Sequence, residues 1–304
     1  MNIVFMGSPD FAIPSLEKIH QSAHTIKAVV SNVDKRRGRG SGKMPTPVKA
    51  KALELGLPVI EVEDLRSDKF AAQLAELDAD LFVVVAFRIL PKKVLEIPRI
   101  GSVNLHASLL PKFRGAAPIH WAVMQGEKKT GCTIFFLDEK VDTGRIILQK
   151  ETAIGELETT GEVYERLMYM GSYTLVEALD LIEHGTYKAV TQNDEMATPA
   201  PKLFKEHCHL DFNRSAKEVH DHIRGLSPFP TAWAEYDGEK MNVYRSKPGP
   251  VLSAEAGEII IKDGKFLVGC LGGTVEILEM QLPGKRRMRA EEYLKGYDFD
   301  GKLM

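Results

Sequence analysis

Leu81-Phe82-Val83-Val84-Val85-Ala86 is continuously apolar and rich in β-branched residues. A strand with one wet face alternates, so an unbroken apolar run reads as a strand covered on both faces, the central position of a parallel sheet. Such a sheet needs helices on either side. Asn2 to Met6 is a short apolar run ending at Gly7, and Ser8-Pro9-Asp10 then opens a segment with Phe11, Ile13, Leu16 and Ile19 at helical spacing. Residues 26–31 read as a second buried strand, 45–55 and 64–77 as amphipathic helices, 131–137 as another apolar strand, and 162–183 as a long helix ending before Gly185. This alternation predicts an α/β domain with a Rossmann-like, mostly parallel sheet.

The pattern changes towards the carboxyl end. Asp237-Gly238 and Asp263-Gly264 lie between β-rich runs as hairpin turns, and Gly272-Gly273 precedes a further strand. About five antiparallel strands are expected, forming a small OB-like β-barrel. The segment YKAVTQNDEMATPAPKLFKE is polar and contains Pro199 and Pro201, the composition of a linker. The reading is therefore a first domain over 1–189, a linker over 190–206 and a barrel over 207–304.

Polar chemistry gathers after one strand. Ser102, Asn104 and His106 alternate with Val103 and Leu105, so Asn104 and His106 share one strand face about 7 Å apart. The chain then enters Ser108-Leu109-Leu110-Pro111 and the glycine-containing Lys112-Phe113-Arg114-Gly115. The carboxyl ends of parallel strands are where open α/β sheets hold ligands. A second polar loop, 138–145, follows strand 131–137 and would bring Asp142 towards the pair. The alternative is that Asn104 and His106 only satisfy loop backbone groups.

Several function classes are disfavoured. A dinucleotide fingerprint is missing, because GSPDFA holds only Gly7. The stretch NVDKRRGRGSGKM packs Lys35, Arg36, Arg37, Arg39 and Lys43 around Gly38, Gly40 and Gly42, but a P-loop would need glycine at Arg37 and Ser or Thr at Met44. What remains is a mobile loop gripping a polyanion, or else a solvated charged loop. With a net charge of −2, phosphate contacts must come from such local patches. Lys285-Arg286-Arg287 and Arg289 make a second one. Cys132, Cys208 and Cys270 are too few and too scattered for a disulfide framework, and with no leader or membrane-length apolar run a cytoplasmic protein is expected. His207-Cys208-His209 lacks ligand spacing, so no metal is expected, and His120 reads as structural.

MGSPDF, SLLPKFRGAAPIHW, VDTGRI and LPGKRRM together resemble the methionyl-tRNA formyltransferase family along nearly the whole chain. The central block and the Asn104-x-His106 pair also occur in other enzymes using 10-formyltetrahydrofolate; the basic insertion and the barrel point to the tRNA enzymes. The resemblance implies formyl transfer from 10-formyltetrahydrofolate to the α-amino group of initiator methionyl-tRNA. It implies catalysis by Asn104, His106 and Asp142 without a metal, and a folate-binding loop at Ser108, Leu109, Leu110 and Pro111. It places Arg39 on the tRNA acceptor arm, with Lys35, Arg36, Arg37 and Lys43 around it, makes the barrel a tRNA-binding domain, and suggests a monomer. One departure bears on pterin recognition: relatives carry a tyrosine-glycine-containing turn where this chain has Phe87-Arg88. A hydrolase using the same three residues, or a folate- or RNA-binding protein without turnover, are the competing readings.

Overall fold

The computed structural model describes residues 1–36 and 43–304, with Lys35 and Arg36 described at the backbone alone. The chain forms two compact units that interleave along the sequence. One comprises Met1–Gly115, Gly131–Thr152 and Tyr164–Pro199; the other comprises Ala116–Thr130, Ala153–Val163 and Ala200–Met304.

In chain order the α/β part carries β1 (Asn2–Gly7), α1 (Ile13–His20), β2 (Thr25–Asn32), a two-residue antiparallel pair β3 (Lys35–Arg36) and β4 (Lys43–Met44), α2 (Pro47–Glu54) and β5 (Val59–Val62). It continues with α3 (Asp68–Ala75), β6 (Leu81–Val85), α4 (Lys92–Leu95) and β7 (Gly101–His106). After α5 (Pro118–Met124), which lies in the second unit, come β8 (Lys129–Phe136), β9 (Ile146–Ala153) and α6 (Thr160–Glu183). The sheet order is β5-β2-β1-β6-β7-β8-β9. The first five of these strands are parallel, and β8 runs antiparallel to β7.

Ala86 lies beyond the strand, exposed and at φ 48°, whereas Leu81–Val85 of the continuously apolar run form β6, buried at every residue and flanked by β1 and β7. Its side chains Phe82 and Val84 pack with Val4, Met6, Ala28 and Val30 against Phe70, Leu74 and Val94. The chain leaves β1 towards β2 and β5 on one side, then returns to β6 on the other. Strand order therefore reverses between β1 and β6, and the loops at the carboxyl ends of these strands border the crevice that a reversal creates.

Local chemistry sets the helix bounds. Thr46 caps α2 by accepting a hydrogen bond from Lys49 N at 3.1 Å, with Pro47 in the first turn. The expected helix over 64–77 is shorter, Asp68–Ala75, because the Asp64 carboxylate accepts Arg66 N at 2.9 Å and holds a turn there instead. No helix of the described residues is long and apolar enough to cross a membrane.

The second unit contains α7 (Ala216–Gly225), β10 (Ala232–Tyr236), β11 (Glu239–Pro248), β12 (Ile259–Lys262), β13 (Lys265–Cys270), β14 (Gly273–Gln281), β15 (Met288–Arg289) and α8 (Ala290–Tyr293). Ser215 and Glu218 cap α7 reciprocally. The strands follow the antiparallel order β10-β11-β14-β13-β12, with β15 on β14. Both Asp-Gly turns adopt left-handed backbone at both central residues, φ 50° and 74° at Asp237-Gly238 and 52° and 71° at Asp263-Gly264, the geometry that matches strand twist. Residues 301–304 then join the two sheet edges. Gly301 O accepts Ile259 N (3.0 Å) and Leu303 N donates to Gly257 O (2.8 Å) beside β12, while Met304 N donates to Glu235 O (2.9 Å) on β10. The enclosed core holds Val243, Phe266, Ile277, Met280 and Tyr293, with Val219 and Ile223 of α7 packed into it.

Candidate active site

β7 presents Asn104 opposite Phe135 of β8 and His106 opposite Thr133. The imidazole of His106 is buried, and its Nε2 lies 2.8 Å from the Phe113 carbonyl oxygen. A carbonyl can only accept, so Nε2 carries a proton and Nδ1 is the nitrogen left facing Asp142. Nδ1 is 3.7 Å from Asp142 Oδ2, within Coulombic reach but longer than a hydrogen bond. The Phe135 ring stands nearly perpendicular to the imidazole, with centroids 6.4 Å apart.

Asp142 is held by its own backbone. It is 7% exposed and has φ 55°, and Oδ2 accepts Gly115 N at 2.8 Å. Two residues on, a Cβ on Gly144 would fall 1.6 Å from the Phe136 carbonyl oxygen, so only glycine lets this loop pass the end of β8 so closely. Asn104 Oδ1 is buried with no hydrogen-bond partner. An orphaned amide oxygen on the strand face shared with His106 is what a site awaiting a polar ligand presents.

The loop Ser108-Leu109-Leu110-Pro111 is fixed from beneath. Thr133 Oγ1 donates to Ser108 O (2.6 Å) and accepts from Leu110 N (3.1 Å) and Gln149 Nε2 (2.8 Å); Gln149 Nε2 also reaches Leu110 O (2.9 Å). Ser108 Oγ donates to Lys112 O at 2.7 Å, and the Leu110–Pro111 peptide is cis. A second set of ties comes from the polar, proline-containing stretch before Pro199. Gln192 Nε2 donates to Asp142 O (2.9 Å) and Gly144 O (2.8 Å). Its Oε1 accepts Arg114 Nε and Nη2 at 3.1 and 2.8 Å, and Thr198 Oγ1 accepts Phe113 N at 2.9 Å.

The structure thus brings Asp142 to His106, with Asn104 on the same face of β7 and the 108–111 loop after it. Because β8 is antiparallel to β7, the loop bearing Asp142 leaves the sheet beside Ser102, at the start of β7, and not at the carboxyl edge expected of parallel strands. Sequence reasoning missed Thr133, Gln149, Gln192 and Thr198. A threonine between Cys132 and Ile134 in an apolar strand was the one available signal. Of the five basic residues, Lys43 is exposed on β4, and Lys35 and Arg36 form the backbone of β3. Arg37 and Arg39 lie outside the described residues. Arg88, in the departing turn, donates to Glu63 O (2.7 Å) and Val62 O (2.8 Å), so it secures the end of β5. His120 Nε2 lies 3.1 Å from Phe229 O, and burial lowers its pKa.

Among the described residues, one grouping of His24, Asp180 and Glu183 has metal-like spacing. Both carboxylates are exposed, and the Met1 ammonium lies 2.6 Å from Glu183, already supplying a positive charge. His207 and His209 are engaged locally. His207 Nδ1 accepts Phe204 N at 3.0 Å, and His209 Nε2 lies 3.1 Å from Met304 O.

A mostly parallel sheet carrying an amide, an imidazole and a carboxylate is followed in this chain by an antiparallel barrel, and comparison with known proteins gives the class. The formyl transferase family model matches residues 1–179, and the formyl transferase C-terminal domain model matches 202–298. The chain is 45% identical over 311 residues to a methionyl-tRNA formyltransferase of Chlorobium limicola, covering 99% of this chain and 98% of that protein. It is 42% identical over 309 residues to that of Bacteroides fragilis, covering 98% and 95%. The fold is shared with an N-formyltransferase from Helicobacter canadensis solved with folinic acid and dTDP-3-aminofucose (TM-score 0.70, 20% identity, 94% of this chain and 99% of that one). It is shared also with HypX from Aquifex aeolicus in complex with tetrahydrofolic acid (TM-score 0.62, 18% identity, 99% and 50%). The chain belongs to the formyl transferase family, among its methionyl-tRNA formyltransferases.

Proposed function

We propose that this protein transfers the formyl group of 10-formyltetrahydrofolate to the free α-amino group of initiator methionyl-tRNA. The His106–Asp142 pair, with Asn104 two residues before His106 on the same strand face, carries this reading. The amine attacks the formyl carbon, a C–N bond forms, and the carbonyl oxygen becomes an oxyanion. Asn104 donates to that oxygen from its amide, and His106, protonated at Nδ1, adds a charge-assisted donor. The amine must lose a proton as it bonds, and Asp142 accepts it directly or through water. Collapse then breaks the bond to N10, which takes up a proton as it leaves.

Ser108, Leu109, Leu110 and Pro111 line the folate side in this reading. Lys35, Arg36, Arg37, Arg39 and Lys43 engage acceptor-stem phosphates. The functional division is a catalytic domain over 1–189, a linker over 190–206 and a tRNA-binding barrel over 207–304, working as a cytoplasmic monomer. On the barrel, Arg286 and Arg289 are largely exposed and lie 3.9 Å from Glu292 and 3.4 Å from Glu291, while Arg287 pairs with Glu279 at 2.7 Å and covers the Tyr244 ring.

Incubation with 10-formyltetrahydrofolate and methionyl-tRNA, following formylmethionine and free formate separately, tests the proposal. Formylmethionine is the expected product. Formate without formylmethionine would make the protein a hydrolase, and binding without either product would make it a carrier.

A further inference from the structure

Asp142 occupies a backbone conformation that L residues other than asparagine and aspartate rarely adopt, φ 55°, so something must hold it there. Its carboxylate is fixed by Gly115 N, and its carbonyl by Gln192. Gln192 is 8% exposed and uses its whole amide. The Nε2 group donates twice to the 142–144 backbone, and Oε1 takes two N–H groups of Arg114, the residue directly before Gly115. Arg114 is itself anchored by its backbone N on Thr198 O (2.9 Å) and by Nη2 on Asp194 (2.7 Å). The adjoining Phe113 supplies the carbonyl that orients His106. A single buried amide therefore ties the loop bearing the carboxylate to the loop that orients the imidazole.

From this geometry we infer that Gln192 is a positioning residue for formyl transfer: its amide locks the Asp142 loop to the 113–115 loop and so fixes the separation between Asp142 Oδ2 and His106 Nδ1. The inference rests on the proposed roles of Asp142 and His106. Glutamine fits for a chemical reason. Two carbonyl acceptors on one side and a guanidinium on the other call for a donor and an acceptor in one planar group of fixed span. Glutamate would keep the bond to Arg114 but turn an oxygen towards the two carbonyls. Alanine would leave the two carbonyls and the guanidinium without these bonds.

The test uses the full-length protein and three variants, Gln192→Ala, Gln192→Glu and Asp142→Asn, with the double variant Gln192→Ala/Asp142→Asn. Displacing a catalytic group by about 1 Å costs up to about 100-fold in rate. The expected result is that kcat falls by about 10- to 100-fold in Gln192→Ala and Gln192→Glu, while KM for both substrates stays within about twofold. Gln192→Ala should add nothing further once Asp142 is asparagine. Without substrate, the ¹⁵N signal of His106 Nδ1 should shift in both single Gln192 variants.

Additive losses in the double variant would overturn the inference, as would an unmoved His106 signal or a KM-only effect. If Gln192→Ala does not fold, Gln192→Glu, which preserves volume and the Arg114 bond, decides by the same kinetic split and the same signal. An inactive wild type would instead remove the proposed function. An active wild type with unimpaired Gln192 variants would remove this inference alone.

Discussion

Asn104 and His106 are the residues whose removal should be felt most directly in turnover. Deleting one preorganised donor to an oxyanion costs roughly 100- to 1000-fold in kcat. Asn104→Ala and His106→Ala are each expected in that range, with formylmethionine formation as the readout, and near-normal turnover of either would dissolve the constellation. These two residues were legible because strand alternation is fixed by backbone geometry, which places i and i+2 on one face whatever the surroundings. Asp142 was legible as a polar residue in a loop after a second strand. Thr133, Gln149 and Gln192 were not, since each works by bonding to backbone groups of a remote loop. No residue pattern along the chain encodes which carbonyl will arrive there. Asp142 makes the same point from the other side: its left-handed backbone has no signature beyond an ordinary aspartate before Thr143-Gly144.

At the scale of elements, boundaries followed local chemistry and pairing followed the hydrophobic pattern. The Asp-Gly turns gave correct hairpins because both residues tolerate positive φ, a property of the dipeptide itself. By contrast, the closing of the barrel by 301–304 involves backbone hydrogen bonds from a short tail with no strand-like alternation, and could not be read. The loop after β8 offers a sharper test. Because a Cβ at Gly144 would overlap the Phe136 carbonyl, Gly144→Ala must displace the loop, and Asp142 with it. Activity is expected to fall by about 100-fold, with a lower melting temperature as well. A Gly144→Ala protein with wild-type kinetics would mean that the position of this loop is immaterial to catalysis.

Two expectations belong to the whole molecule. Arg39→Ala should weaken use of methionyl-tRNA and leave folate binding nearly intact. The salt dependence of tRNA affinity should flatten too, by a slope of somewhat less than one for each phosphate no longer neutralised. Equal affinities and slopes for both proteins would return the basic run to a solvated loop. The second expectation concerns acid stability. His220 is 3% exposed, with Nε2 at 2.9 Å from Glu156 O and Nδ1 at 3.0 Å from Ser246 Oγ, so the neutral ring is fully partnered. Burial lowers its pKa, and nearby Arg224 and Lys217 push the same way, outweighing Asp221 and the Glu156 carbonyl. Burial likewise lowers His24, His120 and His222. For such groups the unfolded chain, with histidine near 6.5, binds protons at a higher pH than the folded one does. Their contribution to stability is therefore complete above that value and declines progressively as pH falls below it towards the lowered folded values. The melting temperature should drop as pH falls from about 6.5 to 5.5, before most carboxylates titrate, and the drop should shrink in His220→Gln. A flat melting temperature across this window, or an undiminished slope in the variant, would mean that the buried imidazole does not couple folding to protons.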